Sequence, residues 1–136
     1  MDNQQQYITT AHCKHRLRYH LIFSTKYRKN CLNEIRETVL NSFRYAESIS
    51  HFKIYVMELD KDHIHLLVSF PPKYSIEQTV RRLKQISTNY IWKYQSNYLR
   101  EFYWGKKKRL WTGGYFCSTI GNVSENTIKH YIESQG

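Results

Sequence analysis

The sequence predicts an α+β fold, an antiparallel sheet with helices packed on one face. Three observations carry this. Short segments alternate apolar and polar residues, as half-buried strands do; longer ones repeat apolar residues at helical spacing; and the two kinds follow in the order β, α, β, β, α, β, α. That order suits the ferredoxin-like or RNA-recognition-motif-like architecture, in which the first and third strands form the central pair. At 136 residues the chain reads as one domain, 1–136, with a single core and with residues 1–11 as a polar, flexible end.

The first strand runs from His15 to Ser24, where Leu17, Tyr19, Leu21 and Phe23 alternate with Arg16, Arg18, His20 and Ile22, leaving a basic outer side. Lys26-Tyr27-Arg28-Lys29 follows as a loop whose cations around a tyrosine suit a phosphate and a base; a solvated loop is the plain alternative. A helix over about Leu32 to Ile49 carries Leu32, Ile35, Val39, Phe43 and Ala46 on its inner stripe. His51 to Leu59 is the second strand, joined by the Asp60 to Asp62 turn to an antiparallel third, in which Ile64, Leu66, Val68 and Phe70 recur at every second position. Beyond Pro71-Pro72, Ser75 and Gln78 form a capping box that opens a second long helix. Ile76, Val80, Leu83, Ser87, Tyr90 and Tyr94 mark one face of it, and Arg81, Arg82, Lys84 and Lys93 the other, either solvated or phosphate-contacting. Asn97 to Arg109 is aromatic and then basic; its end, Lys106-Lys107-Lys108-Arg109, is a candidate DNA-contacting loop. Leu110 to Ile120 has strand character broken by Gly113-Gly114. The chain closes with a short helix capped by Ser124, with Val123 and Ile128 spaced as a hydrophobic staple.

Two places carry candidate chemistry. His63 and His65 share the strand face opposite the apolar residues, roughly 7 Å apart along it, so both imidazoles can converge on one divalent ion. On the last helix Tyr131 and Gln135 lie four apart and share a face. Together the four residues suggest a metal-assisted attack by a phenol on a phosphodiester; a polar histidine pair and a tyrosine at the core edge are the bland alternative.

Composition points the same way. Lys and Arg number 21 against 11 acidic residues, a formal charge of +10, which favours a polyanionic partner. Twelve Tyr, six Phe and three Trp exceed what one core of this size needs, and bases stack on such rings, favouring single-stranded over duplex nucleic acid. Three cysteines without a CxxC spacing are expected to be free thiols in a reducing cytoplasm, and Cys13 with His12 and His15 is set aside as a zinc site. Neither a membrane-length apolar run nor a signal-peptide core is present, so a soluble intracellular protein is expected. No phosphate-binding Gly-x-x-x-x-Gly-Lys loop occurs, and no nucleotide cofactor is expected.

The chain resembles the single-tyrosine HUH transposases, the TnpA type of small bacterial and archaeal insertion sequences. The resemblance rests on Tyr19-His20-Leu21-Ile22-Phe23 with Lys26-Tyr27-Arg28, on Asp60 to His65, on Leu110-Trp111-Thr112 with Phe116 to Gly121, and on Tyr131 to Gln135. It implies a metal pair in His63 and His65, Gln135 as third ligand of Mg²⁺ or Mn²⁺, and Tyr131 as nucleophile. It further implies a prokaryotic cytoplasmic enzyme that cuts and rejoins single-stranded DNA through a 5′-phosphotyrosine. The DNA would be hairpins at the ends of a mobile element, and the enzyme a homodimer whose tyrosine helix can act in trans. Lys26, Arg28, Arg81, Lys106, Lys107, Lys108 and Arg109 are the expected DNA contacts. Three rivals stand beside this: a non-catalytic single-strand-binding module, a metal-dependent hydrolase in which water attacks, and a domesticated relative acting on chromosomal palindromes.

Overall fold

In the computed structural model the described residues are 17–119 and 130–133, with the backbone of 8–10 and 13–15. The main sheet has four antiparallel strands: β3 (Tyr19–Ser24), β4 (Lys53–Leu59), β5 (His63–Ser69) and β6 (Phe116–Thr119). Their spatial order is β4-β5-β3-β6, so the histidine strand and the first sheet strand are the central pair, as expected. A separate hairpin precedes them, β1 (Ile8–Thr10) on β2 (Cys13–His15). This corrects two expectations: part of the segment expected to be a flexible end is paired strand, and the strand expected from His15 is two strands.

Alternation decides which side chains go inward. Leu21 and Phe23 on β3 and Ile64, Leu66 and Val68 on β5 are buried, and α1 (Arg36–Ser48) and α2 (Ile76–Leu99) close the same core from one side of the sheet. The helical stripe Leu32, Ile35, Val39, Phe43 and Ala46 is buried throughout, although its first turn, Asn33–Ile35, is a 3₁₀ helix. Leu17, expected inward, is 55% exposed because it lies before the sheet begins.

The predicted cap of α2 is formed in full: the Ser75 hydroxyl accepts from Gln78 N–H at 3.0 Å, and the Gln78 side chain accepts from Ser75 N–H at 2.8 Å. Val80, Leu83 and Ser87 are buried as the stripe predicts, but the row continues in steps of four to Ile91, and Tyr94 is 58% exposed. The helix kinks at Gln95 (φ −130°, ψ 30°), and Leu99 beyond it is buried. Lys84, expected on the polar face, is half-buried instead. Its Nζ donates to the Thr112 and Gly114 carbonyls at 2.8 Å each, while burial pushes the ammonium down to about 8. It thereby ties the segment before β6 to α2. No helix among the described residues is long and apolar enough to cross a membrane.

Candidate functional site

The sheet face away from α1 and α2 collects the candidate residues. Register places Glu58, His65, Ile22 and Phe116 side by side across all four strands, and His63 opposite Ser24 in the next row. Both histidines are oriented from behind. His63 Nδ1 lies 2.9 Å from Asp62 Oδ1, and His65 Nδ1 lies 3.0 Å from Glu58 Oε1. A carboxylate accepts only, so each Nδ1 carries the proton and each Nε2 is left with its lone pair, the tautomer that a metal ligand needs.

His20 completes the arrangement and was not singled out by the sequence reading. Its Nδ1 is 2.8 Å from His65 Nε2, with the two rings stacked at 5.0 Å. With His65 Nε2 accepting, His20 Nδ1 donates, and burial pushes the His20 imidazolium down in pKa. The alternation of β3 already put His20 on the basic outer side; pairing β3 with β5 was the additional step that brings it to His65.

The donor set fits a divalent cation with one rearrangement. His63 Nε2 is available, whereas His65 Nε2 becomes so when His20 turns away. Beside His63, the buried Ser24 hydroxyl lacks a hydrogen-bond partner among the described residues, a cost that a polar guest at this spot would remove. Among the described residues no group of three His, Cys, Asp or Glu forms a metal cage. Gln135, the expected third ligand, lies outside the described residues.

Residues 130–133 are helical and sit on this same face, with the Tyr131 ring 5.1 Å from Phe116. Burial raises the Tyr131 phenol pKa. The Ser124 cap and the Val123 and Ile128 staple fall outside the described residues. Arg28, an expected DNA contact, bonds protein groups here: its Nε and Nη2 bond Asp62 Oδ2 at 2.8 and 2.7 Å, and its Nη1 donates to the Ile132 carbonyl. The guanidinium is committed to protein partners because its backbone conformation turns it inward.

The other expected DNA contacts converge. Lys26, Arg81, Lys107, Lys108 and Arg109 line one open cleft of about 580 Å³ between α2 and the 105–113 loop, floored by Leu110 and Trp111. Lys106 is exposed but not part of it. At its edge Tyr27 and Trp104 are 60% and 74% exposed, with Arg109 Nη1 3.5 Å from the Tyr27 hydroxyl and Lys29 Nζ 6.0 Å from the Trp104 ring. Exposed rings flanked by cations suit stacked bases and their phosphates. Lys26 lies two residues beyond Ser24, the strand partner of His63, so cleft and histidine face adjoin along the chain.

Comparison with known proteins identifies the family. Residues 13–135 match the family described as transposase IS200-like. The chain is 32% identical over 122 residues to the ISDra2 transposase TnpA of Deinococcus radiodurans, covering 89% of this chain and 85% of that protein. It is 30% identical over 127 residues to the transposase for insertion sequence element IS200 of Salmonella typhimurium, covering 90% and 82%. A crystal structure assigned to a transposase of Deinococcus radiodurans superposes with a TM-score of 0.82 at 26% identity, over 94% of this chain and 97% of that one. A REP-associated tyrosine transposase bound to a REP hairpin shares the fold, with a TM-score of 0.56 at 12% identity, over 88% of this chain and 64% of that one.

Proposed function

The chain belongs to the IS200-like transposase family, and we propose that it cuts and rejoins single-stranded DNA at insertion-sequence ends by tyrosine transesterification. The Tyr131 oxygen attacks a backbone phosphorus; the new P–O bond to tyrosine forms as the bond to the 3′ oxygen breaks. The phenolic proton is lost to solvent and the departing 3′ oxygen gains one. The 5′-phosphotyrosine conserves the phosphodiester, so a 3′-OH can reverse the step on another strand without a nucleotide cofactor.

The observation that carries this reading is the seating of Tyr131 against Phe116, on the sheet face that also holds His63 and His65. Asp62 and Glu58 fix the two imidazoles so that their Nε2 atoms can serve as ligands, with Gln135 as the expected third. His63 and His65, with Gln135, would hold Mg²⁺ or Mn²⁺, which would supply Lewis-acid polarisation of the scissile phosphate and charge stabilisation. A tyrosine is protonated near neutral pH and burial raises the Tyr131 phenol further, so its proton must leave as the attack proceeds. The basic cleft and the exposed Tyr27 and Trp104 hold the strand alongside. The substrate is a single-stranded hairpin, the working form a homodimer whose tyrosine helix can act in trans, and the location the cytoplasm beside the chromosome.

The test is incubation with labelled single-stranded DNA from the flanks of the gene, with Mg²⁺, Mn²⁺ or EDTA, followed by a denaturing gel. A metal-dependent protein–DNA adduct, absent in Tyr131→Phe while DNA retention persists, supports the reading. The cleft and exposed rings would equally serve a binding module; retention with neither adduct nor cleavage on hairpins from both flanks would favour that instead. Sedimentation as a monomer with DNA at micromolar concentration would count against the dimer.

A further inference from the structure

We propose that Arg28 is a positioning residue that couples the seating of the tyrosine helix to the orientation of His63, an inference whose catalytic meaning rests on the transesterification reading. The contacts form one path. Arg28 Nη1 donates to the Ile132 carbonyl, one residue from Tyr131; Nε and Nη2 bond Asp62 Oδ2 at 2.8 and 2.7 Å; and the other oxygen of that carboxylate, Oδ1, accepts from His63 Nδ1 at 2.9 Å. Asp62 is buried, so its two oxygens are shared between guanidinium and imidazole and not with bulk water.

The backbone is shaped to deliver this side chain. Tyr27 and Arg28 hold φ of 61° and 52°, the left-handed region that side chains other than glycine rarely adopt. Two main-chain bonds and one from a side chain hold the turn: Thr25 N–H donates to the Asp62 carbonyl at 2.9 Å, Arg28 N–H to the Thr25 carbonyl at 3.0 Å, and the Thr25 hydroxyl to the Lys29 carbonyl at 2.9 Å. Lys26 of the same turn opens to the cleft and Tyr27 to solvent, while Arg28 faces the protein. The fork sets Nε and Nη2 on the carboxylate while Nη1 reaches the carbonyl, three directed bonds that the single point charge of a lysine ammonium does not reproduce.

Amide hydrogen exchange on the full chain, with and without Mn²⁺, tests the link together with Mn²⁺ affinity by calorimetry. In Arg28→Gln the amides of 130–133 should exchange about tenfold faster, the scale of one hydrogen bond from a charged donor, while α1 and α2 keep their protection. Mn²⁺ affinity should fall about tenfold or more, as when a residue behind a histidine ligand is lost. Arg28→Lys should rescue neither, and carries the test should Arg28→Gln unfold. Unchanged exchange at 130–133, or wild-type Mn²⁺ affinity with faster exchange, overturns the coupling. If the wild type binds no Mn²⁺, the metal reading falls separately, and the exchange result alone decides the tie between Arg28 and the helix.

Discussion

At the scale of single residues the site divides into groups named by local pattern and groups named only by contact. The shared strand face of His63 and His65 and the helical setting of Tyr131 were legible, because two-apart spacing on a strand and helical spacing are local features. His20 and Arg28 were not, since their partners lie 45 and 34 residues away and follow from strand register and a left-handed turn. Because His20 competes for the lone pair of His65, His20→Ala should bind Mn²⁺ more tightly, by up to about tenfold, the worth of one net hydrogen bond. Weaker binding by calorimetry would instead make His20 part of the ligand set. Cys31 carries a separate pH signature. Burial pushes its thiol from 9.0 up to about 11, so the folded state keeps a proton that the unfolded chain loses. The contribution of Cys31 to stability is therefore full below pH 9 and is lost as pH rises through about 11. Cys31→Ala should flatten that limb of melting temperature against pH; an unchanged slope would remove Cys31 as its cause.

Elements were read well where one face alone decides them. The inner stripe of α1 and the cap of α2 follow from period and from Ser75 with Gln78, and both are found as expected. The far half of α2 was misread because the buried row runs in steps of four from Leu83 through Ser87 to Ile91, whereas a step of three from Ser87 leads to Tyr90 and then to the exposed Tyr94. Two substitutions weigh these contributions by urea unfolding. Phe43 lies 6.3 Å from Phe23 and 6.0 Å from Trp111, ring to ring, so Phe43→Ala leaves a cavity between α1 and the sheet and should cost about 3–5 kcal/mol. Ser75→Ala removes one exposed cap and should cost only about 1 kcal/mol. Equal losses would mean that α2 depends on its cap as much as α1 depends on the core.

For the whole molecule, a formal charge of +10 states only that a polyanion is favoured; the fold decides where it can lie. Two adjacent arginines show the difference. Arg81 lines the cleft with Lys107, Lys108 and Arg109, whereas Arg82 spends its donors on the Ser50 hydroxyl and the Ile49 carbonyl at 2.6 and 2.9 Å. Replacing a cleft cation should release fewer counterions on binding, while replacing Arg82 should not. With single-stranded DNA, the slope of log affinity against log salt changes by about 0.7 for each phosphate contact. Lys107, Lys108 and Arg109 changed together to Gln should thus make the slope shallower by about 2. Arg82→Gln removes the same unit of charge per residue and should leave the slope unaltered, so the comparison separates a localised groove from net charge alone. Equal shallowing per charge removed in both variants would mean that the strand is held by the overall field of the protein, and the cleft between α2 and the 105–113 loop would lose its role as the DNA path.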